Sequence, residues 1–276
     1  MSEETITGSN NNLHNNLHSK LNPESKERRV SIGVLGILTY TDPDTKEIFY
    51  YLMLNKKRSE PGKPNYGLIG GAIRSSQQSI SNALEEAGFS EFTIEGDDLR
   101  VSGIPSQNLN SAIATLTQLA LQSDPKEQLL GEIREELGQE EIDEINQNMG
   151  TNIHPPENLN KIIEEVKQYL SGQPYDIYVL EPEISARDPR QPSQRIALAY
   201  EIDLSQTPCL FEYIKNNSQG IDEIGIDKIN DNPPLFLKLS REEIKELLKS
   251  QKTGENYTIN QVSIASQIQV LKRTPS

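Results

Sequence analysis

Residues 124–138 read Asp124-Pro125-Lys126-Glu127-Gln128-Leu129-Leu130-Gly131-Glu132-Ile133-Arg134-Glu135-Glu136-Leu137-Gly138. The stretch is punctuated as one helix. Asp124 suits the N-cap, Pro125 the first helical position, Glu127 the far side of a capping box and Gly138 the C-cap. Glu132, Glu135 and Glu136 recur at i, i+3 and i+4, so their carboxylates share one helical face. Leu129, Leu130, Ile133 and Leu137 form a separate apolar stripe that must be covered by a core. Like charges this close cost a helix a few tenths of a kcal/mol per pair. A hard divalent cation, which prefers carboxylate oxygen, would remove that cost.

Outward from this helix, strand and helix signals alternate. Val30–Leu38 and Ile48–Leu54 read as strands joined by the turn Asp42-Pro43-Asp44, and Asn65–Ile73 as a short strand broken by Gly70-Gly71. Helical spacing predicts helices over 78–87, 109–121 and 157–170, with strand-like Phe92-Thr93-Ile94 between the first two. Further strands are expected at 175–180, 195–202 and 235–239, then a helix over 240–250 opened by Ser240-x-x-Glu243 and a last one over 260–271. Residues 1–27, rich in Asn, Ser, Glu and His, read as a disordered polar tail ahead of a domain over 28–276. The expected class is α/β, with one central mixed sheet covered by helices.

Composition narrows the function. The chain has 276 residues, 34% of them hydrophobic, and a formal net charge of −14. An acidic surface disfavours nonspecific binding to nucleic acid or anionic membranes, while leaving room for a small phosphorylated ligand held by a metal or a local basic pocket. The single cysteine, Cys209, allows no internal disulfide and reads as a core residue. His14, His18 and His154 do not cluster as zinc ligands. Neither a transmembrane run nor a signal-peptide h-region is read, so a cytoplasmic location is expected.

The order of Gly70-Gly71, a capped helix and Gly131-Glu132-Ile133-Arg134-Glu135-Glu136-Leu137-Gly138-Gln139 resembles the signature of the Nudix hydrolase family. Glu132, Ile133, Glu135, Glu136 and Gly138 match its second half in register. Gly131 stands where that signature has Arg, Ser123 where it has its first Glu, and Gln139 where it ends on an aliphatic residue. The Gly pair is separated from the helix by residues 74–122, read as a mostly helical insertion in the box. Glu85-Glu86-Ala87-Gly88-Phe89 is a competing partial match, but Asn82 and Ser81 replace its third carboxylate and its Arg. Ile184-Ser185-Ala186-Arg187-Asp188-Pro189-Arg190, followed by strand 195–200, resembles a segment of ADP-ribose pyrophosphatase-like members.

The resemblance implies a Nudix-like α/β/α sandwich and hydrolysis of a nucleoside diphosphate linked to another moiety. ADP-ribose or a related dinucleotide is the expected substrate, giving AMP and a sugar phosphate. It implies Mg²⁺ or Mn²⁺ held by Glu132, Glu135, Glu136 and the Gly70 carbonyl. Substrate would be bound at Gly70 and Gly71 and clamped by Arg187 and Arg190. The implied partner is a small nucleotide, without nucleic acid or membrane, and a homodimer is allowed. An extra acidic residue is sought among Glu212, Asp222, Glu223 and Asp227. Two other readings stay open: a catalytically weak module that senses an ADP-ribose-like ligand, and an insertion that serves as a lid or partner-binding element.

Overall fold

The computed structural model describes residues 27–55, 59, 64–171, 175–180, 193–220 and 232–245. They form a mixed α/β fold around one ten-stranded sheet. In chain order the elements are β1 (Glu27–Thr41), β2 (Ile48–Leu54), β3 (Tyr66–Gly67), β4 (Ile69–Ala72), α1 (Gln77–Glu86), β5 (Thr93–Ile94) and β6 (Arg100–Pro105). There follow α2 (Leu109–Gln122), α3 (Pro125–Glu136), α4 (Gln139–Met149), α5 (Leu159–Ser171), β7 (Asp176–Val179) and β8 (Ser193–Asp203). The series ends with α6 (Pro208–Asn216), β9 (Ser218–Gly220) and β10 (Phe236–Ser240).

The long strand β1 organises the sheet. One edge pairs in parallel with β8 from Arg29 to Thr39. The other edge is shared in succession by three antiparallel strands: β6 at Glu27–Ser31, β4 at Gly33–Gly36 and β2 at Leu38–Thr41. A site where β4 gives way to β6 is therefore built into the middle of the sheet. Ile73 and Leu99 close that junction, with Ile73 N–H donating to Ile32 O at 3.0 Å and Leu99 N–H to Ile73 O at 2.7 Å.

Helix α3 keeps its predicted start. Asp124, in the left-handed region at φ 49°, accepts from the Glu127 N–H, and Pro125 opens the first turn. Its apolar stripe is covered as expected, with Leu129, Leu130, Ile133 and Leu137 all buried. Two predicted details differ. The Glu127 carboxylate pairs with Lys167 Nζ of α5 at 2.7 Å, so it bridges two helices where a capping box was expected. Gly138 is not the C-cap, a place taken by Leu137, but the extended N-cap of α4. A side chain at 138 would press on the Arg134 and Glu135 carbonyls at 3.0 and 3.1 Å, so Gly eases the direct bend from one helix into the next.

Residues 74–122 are part of this architecture. They supply β5, β6, α1 and α2, and α2 buries Leu109, Ala112, Ile113, Leu116 and Ala120 in the common core. Strand β1 begins at Glu27, the last residue assigned to the tail. Strand β6 and helices α4 and α6 join the predicted elements, and residues 241–245 open a helix behind a true capping box between Ser240 and Glu243. The helix expected over 260–271 lies outside the described residues. None of the described helices is long and apolar enough to cross a membrane.

Candidate active site

Helix α3 is docked on the sheet by two glycines and one glutamine. A side chain at Gly36 of β1 would meet Leu129 Cδ1 at 3.4 Å, so the apolar face of α3 rests on bare backbone there. At Gly71 of β4 the approach is closer, since a Cβ would stand 2.4 Å from Glu132 Cδ. Between them Gln128 grips the chain leaving β4. Its Oε1 accepts from the Arg74 N–H at 2.6 Å, while its Nε2 donates to Arg74 O at 3.2 Å and to Ser123 O at 2.8 Å. Gln128 thus binds the helix to the strand exit through two backbone groups of one residue.

This docking points the glutamate face at the Gly pair. Gly70 has φ 147°, and a Cβ on it would lie 2.1 Å from Val34 O, so no other residue fits the strand at this point. The Gly70 backbone hydrogen-bonds the Glu136 carboxylate. Gly70, Gly71, Glu132, Glu135 and Glu136 all line one cavity of about 370 Å³. The partial match at Glu85-Glu86 lies on α1, and neither residue lines this cavity. The Gly pair and the glutamate helix thus meet at one cavity, although residues 74–122 separate the two in sequence.

The cavity is strongly acidic at one wall. Burial first, then the charge of Glu132, push the Glu136 carboxyl up to about 8. Glu141 and Glu135 add to the rise, and the Gly70 hydrogen bond opposes it. Glu136 as a whole is only partly buried, so the burial concerns its carboxyl end among these neighbours. Neighbouring negative charge thus disfavours ionisation of Glu136, and protonation is one way to relieve that repulsion.

A hard divalent cation is the other way, and the all-oxygen donor set suits one. Among the described residues, however, no group of three His, Cys, Asp or Glu side chains is arranged to hold a metal ion. Glu135 is exposed on the rim while Glu132 lies on Gly71, so the donors fit in chemistry and charge without enclosing an ion in this conformation.

Several lining residues were not anticipated from the sequence. Glu141, in the first turn of α4, adds a fourth glutamate because Gly138 lets α4 turn back toward the site. Arg74, Asp98 and Arg100 line the cavity from the junction of β4 and β6. Glu212, one of the acidic candidates, sits on α6 and does not line it. Arg187 and Arg190, with Asp222, Glu223 and Asp227, lie outside the described residues. Cys209 is partly buried beside Glu165 and Lys161, and its thiol is raised first by a hydrogen bond with Glu165, which opposes use as a nucleophile.

Compared with family models, with curated proteins and with solved structures, the chain matches none.

Proposed function

We propose that the protein is a metal-dependent hydrolase of the Nudix type. It would cleave a nucleoside diphosphate linked to another moiety, with ADP-ribose or a related dinucleotide as substrate and AMP and a sugar phosphate as products. The observation that carries this reading is the close seat of Glu132 on Gly71, with Glu136 on the Gly70 backbone, at one cavity. Gly71 leaves room for the Glu132 carboxylate against the strand, while Gly70 is required by its backbone conformation and its closeness to Val34 O.

The barrier to attack on a diphosphate is repulsion between its negative charge and an incoming hydroxide. Bound Mg²⁺ or Mn²⁺ would neutralise that charge and lower the pKa of a water. Glu132, Glu135 and Glu136 would hold the ion, with the Gly70 carbonyl as the backbone donor. Glu136, whose carboxyl is raised to about 8 by burial and then by the charge of Glu132, would give up its proton as a cation binds. Incubation with Mg²⁺ and ADP-ribose should release AMP and ribose 5-phosphate. Absence of turnover on ADP-ribose, NADH, diadenosine polyphosphates and nucleotide sugars would sink the reading.

One observation favours the second reading, a binding module of low activity. Gly131 occupies the signature's Arg position, and among the described residues nothing lies within 4 Å of a Cβ there. No guanidinium from that position steadies the glutamates. Stabilisation by ADP-ribose in EDTA, without turnover in Mg²⁺, would select this alternative.

A further inference from the structure

The cavity's second wall carries positive charge. Arg74 lies two residues past the end of β4 and Arg100 opens β6, so both belong to residues 74–122, which have no counterpart in the signature. An antiparallel bridge joins Arg74 to Asp98, and the Asp98 carboxylate pairs with Arg100 Nη2 at 3.5 Å. Ser75 N–H donates to Asp97 O at 2.9 Å, which ties the same two segments together one residue further on. Gln128 fixes the Arg74 backbone from the other side. The backbones that carry both guanidiniums are therefore held rigidly, while Arg74 itself is exposed and has no ion-pair partner among the described residues.

Two arginines with fixed backbones do not need a cavity merely to be solvated. Here both line one, together with the glutamates of α3 and α4. Among the described residues, five carboxylates and two guanidiniums border the same space, counting Asp98 with the four glutamates. Such a site repels a bare anion. With a divalent cation against the glutamates it becomes complementary to a phosphate group, which offers oxygens to the metal on one side and to guanidinium forks on the other.

We propose that Arg74 and Arg100 form an anion subsite that binds a phosphate group of the ligand in the cavity they share with the glutamates. This rests on the reading of the cavity as a metal-dependent phosphate-ester site and assigns the intervening segment a part in it. Asp98 is a positioning residue, since it touches Arg100 and holds the register of Arg74. The ligand class is a diphosphate or its ester, whose doubly charged centre can span metal and arginines together.

The test is calorimetric titration of inorganic pyrophosphate in Mg²⁺ into the full-length wild type, Arg74→Gln, Arg100→Gln and the double variant, beside kinetics on ADP-ribose. Each single variant should weaken pyrophosphate binding about tenfold, and the double variant more than either, through loss of charge-assisted hydrogen bonds. KM for ADP-ribose should rise by a similar factor, and Arg74→Lys should recover part of the binding. Should Arg100→Gln fail to fold, the exposed Arg74 decides through Arg74→Gln and Arg74→Glu. Wild-type pyrophosphate affinity in the Arg74 variants overturns the subsite even where ADP-ribose is hydrolysed. Arginine-dependent pyrophosphate binding by a protein that hydrolyses no nucleotide leaves the subsite standing and removes the hydrolase reading. A wild type that binds no pyrophosphate overturns the subsite outright.

Discussion

The Glu132 carboxylate sits on the Cα of Gly71, close enough that a methyl group there would overlap Cδ at 2.4 Å and Oε1 at 2.5 Å. Helix α3 and strand β4 thus meet through a glutamate laid on bare backbone. Gly71→Ala should displace the Glu132 carboxylate at a modest cost in stability, since the far end of a flexible side chain can swing away. Glu132→Ala in the same chain should recover most of that loss, because it removes the group the methyl collides with. A double-mutant cycle by urea denaturation reads the coupling. Additive effects would mean that the contact is not what excludes a side chain at 71.

Glu136 makes stability depend on pH in an unusual direction for a carboxylate. Its folded value is about 8 against an ordinary 4.5, so the folded protein binds the extra proton between these limits. Without metal, the stability conferred by protonated Glu136 is fully present below 4.5 and is lost as pH rises through about 8. Glu136→Gln, a neutral mimic of the protonated group, should flatten that slope. Melting in EDTA over this range would show it, and parallel curves for the two proteins would refute the assignment. Stabilisation by Mg²⁺ should run the other way, growing with pH as the proton leaves the carboxylate.

The sequence carries the start of α3, its apolar stripe and its carboxylate face openly, because each is a short-range pattern of one helix. It also marks Gly70 and Gly71 as special backbone. What it hides is the second wall. Arg74 and Arg100 are far from Glu132 in the chain and are brought to it by the order in which β6, β4 and β2 share one edge of β1. That order depends on long-range pairing, which local periodicity does not encode. Strand β6 escapes notice for a local reason as well, since Gly103 and Pro105 break its pattern. Gly138 looks like a terminator, and only the fold shows that it starts α4 and delivers Glu141.

The packing of α2 makes residues 74–122 structural, which bears on the idea of a lid. Leu116 is fully buried and belongs to the common core. Leu116→Ala should cost about 2–5 kcal/mol in global stability, the usual range for a buried leucine. A removable lid would tolerate the change with an unaltered unfolding midpoint. Denaturant unfolding followed by far-UV dichroism distinguishes the two, and excision of 74–122 should abolish folding for the same reason.

Asp124 combines two demands that few residues meet. It holds φ 49°, where a β-carbon is strained, and its carboxylate caps the Glu127 N–H at 3.3 Å. Asn tolerates the left-handed region and can cap, so Asp124→Asn should be nearly neutral in stability. Asp124→Ala loses the cap and keeps the strain, at a cost of about 1–2 kcal/mol. Asp124→Gly relieves the strain while losing the cap, and should fall between them. Because α3 carries the glutamates, its first turn also sets their position, through the Glu127–Lys167 pair and the Gln128 clamp that follow the cap at once. The Ala variant should therefore lose Mg²⁺-induced stabilisation beyond its loss of folding stability. Thermal melts with and without Mg²⁺ measure both, and an unchanged Mg²⁺ increment would confine Asp124 to capping.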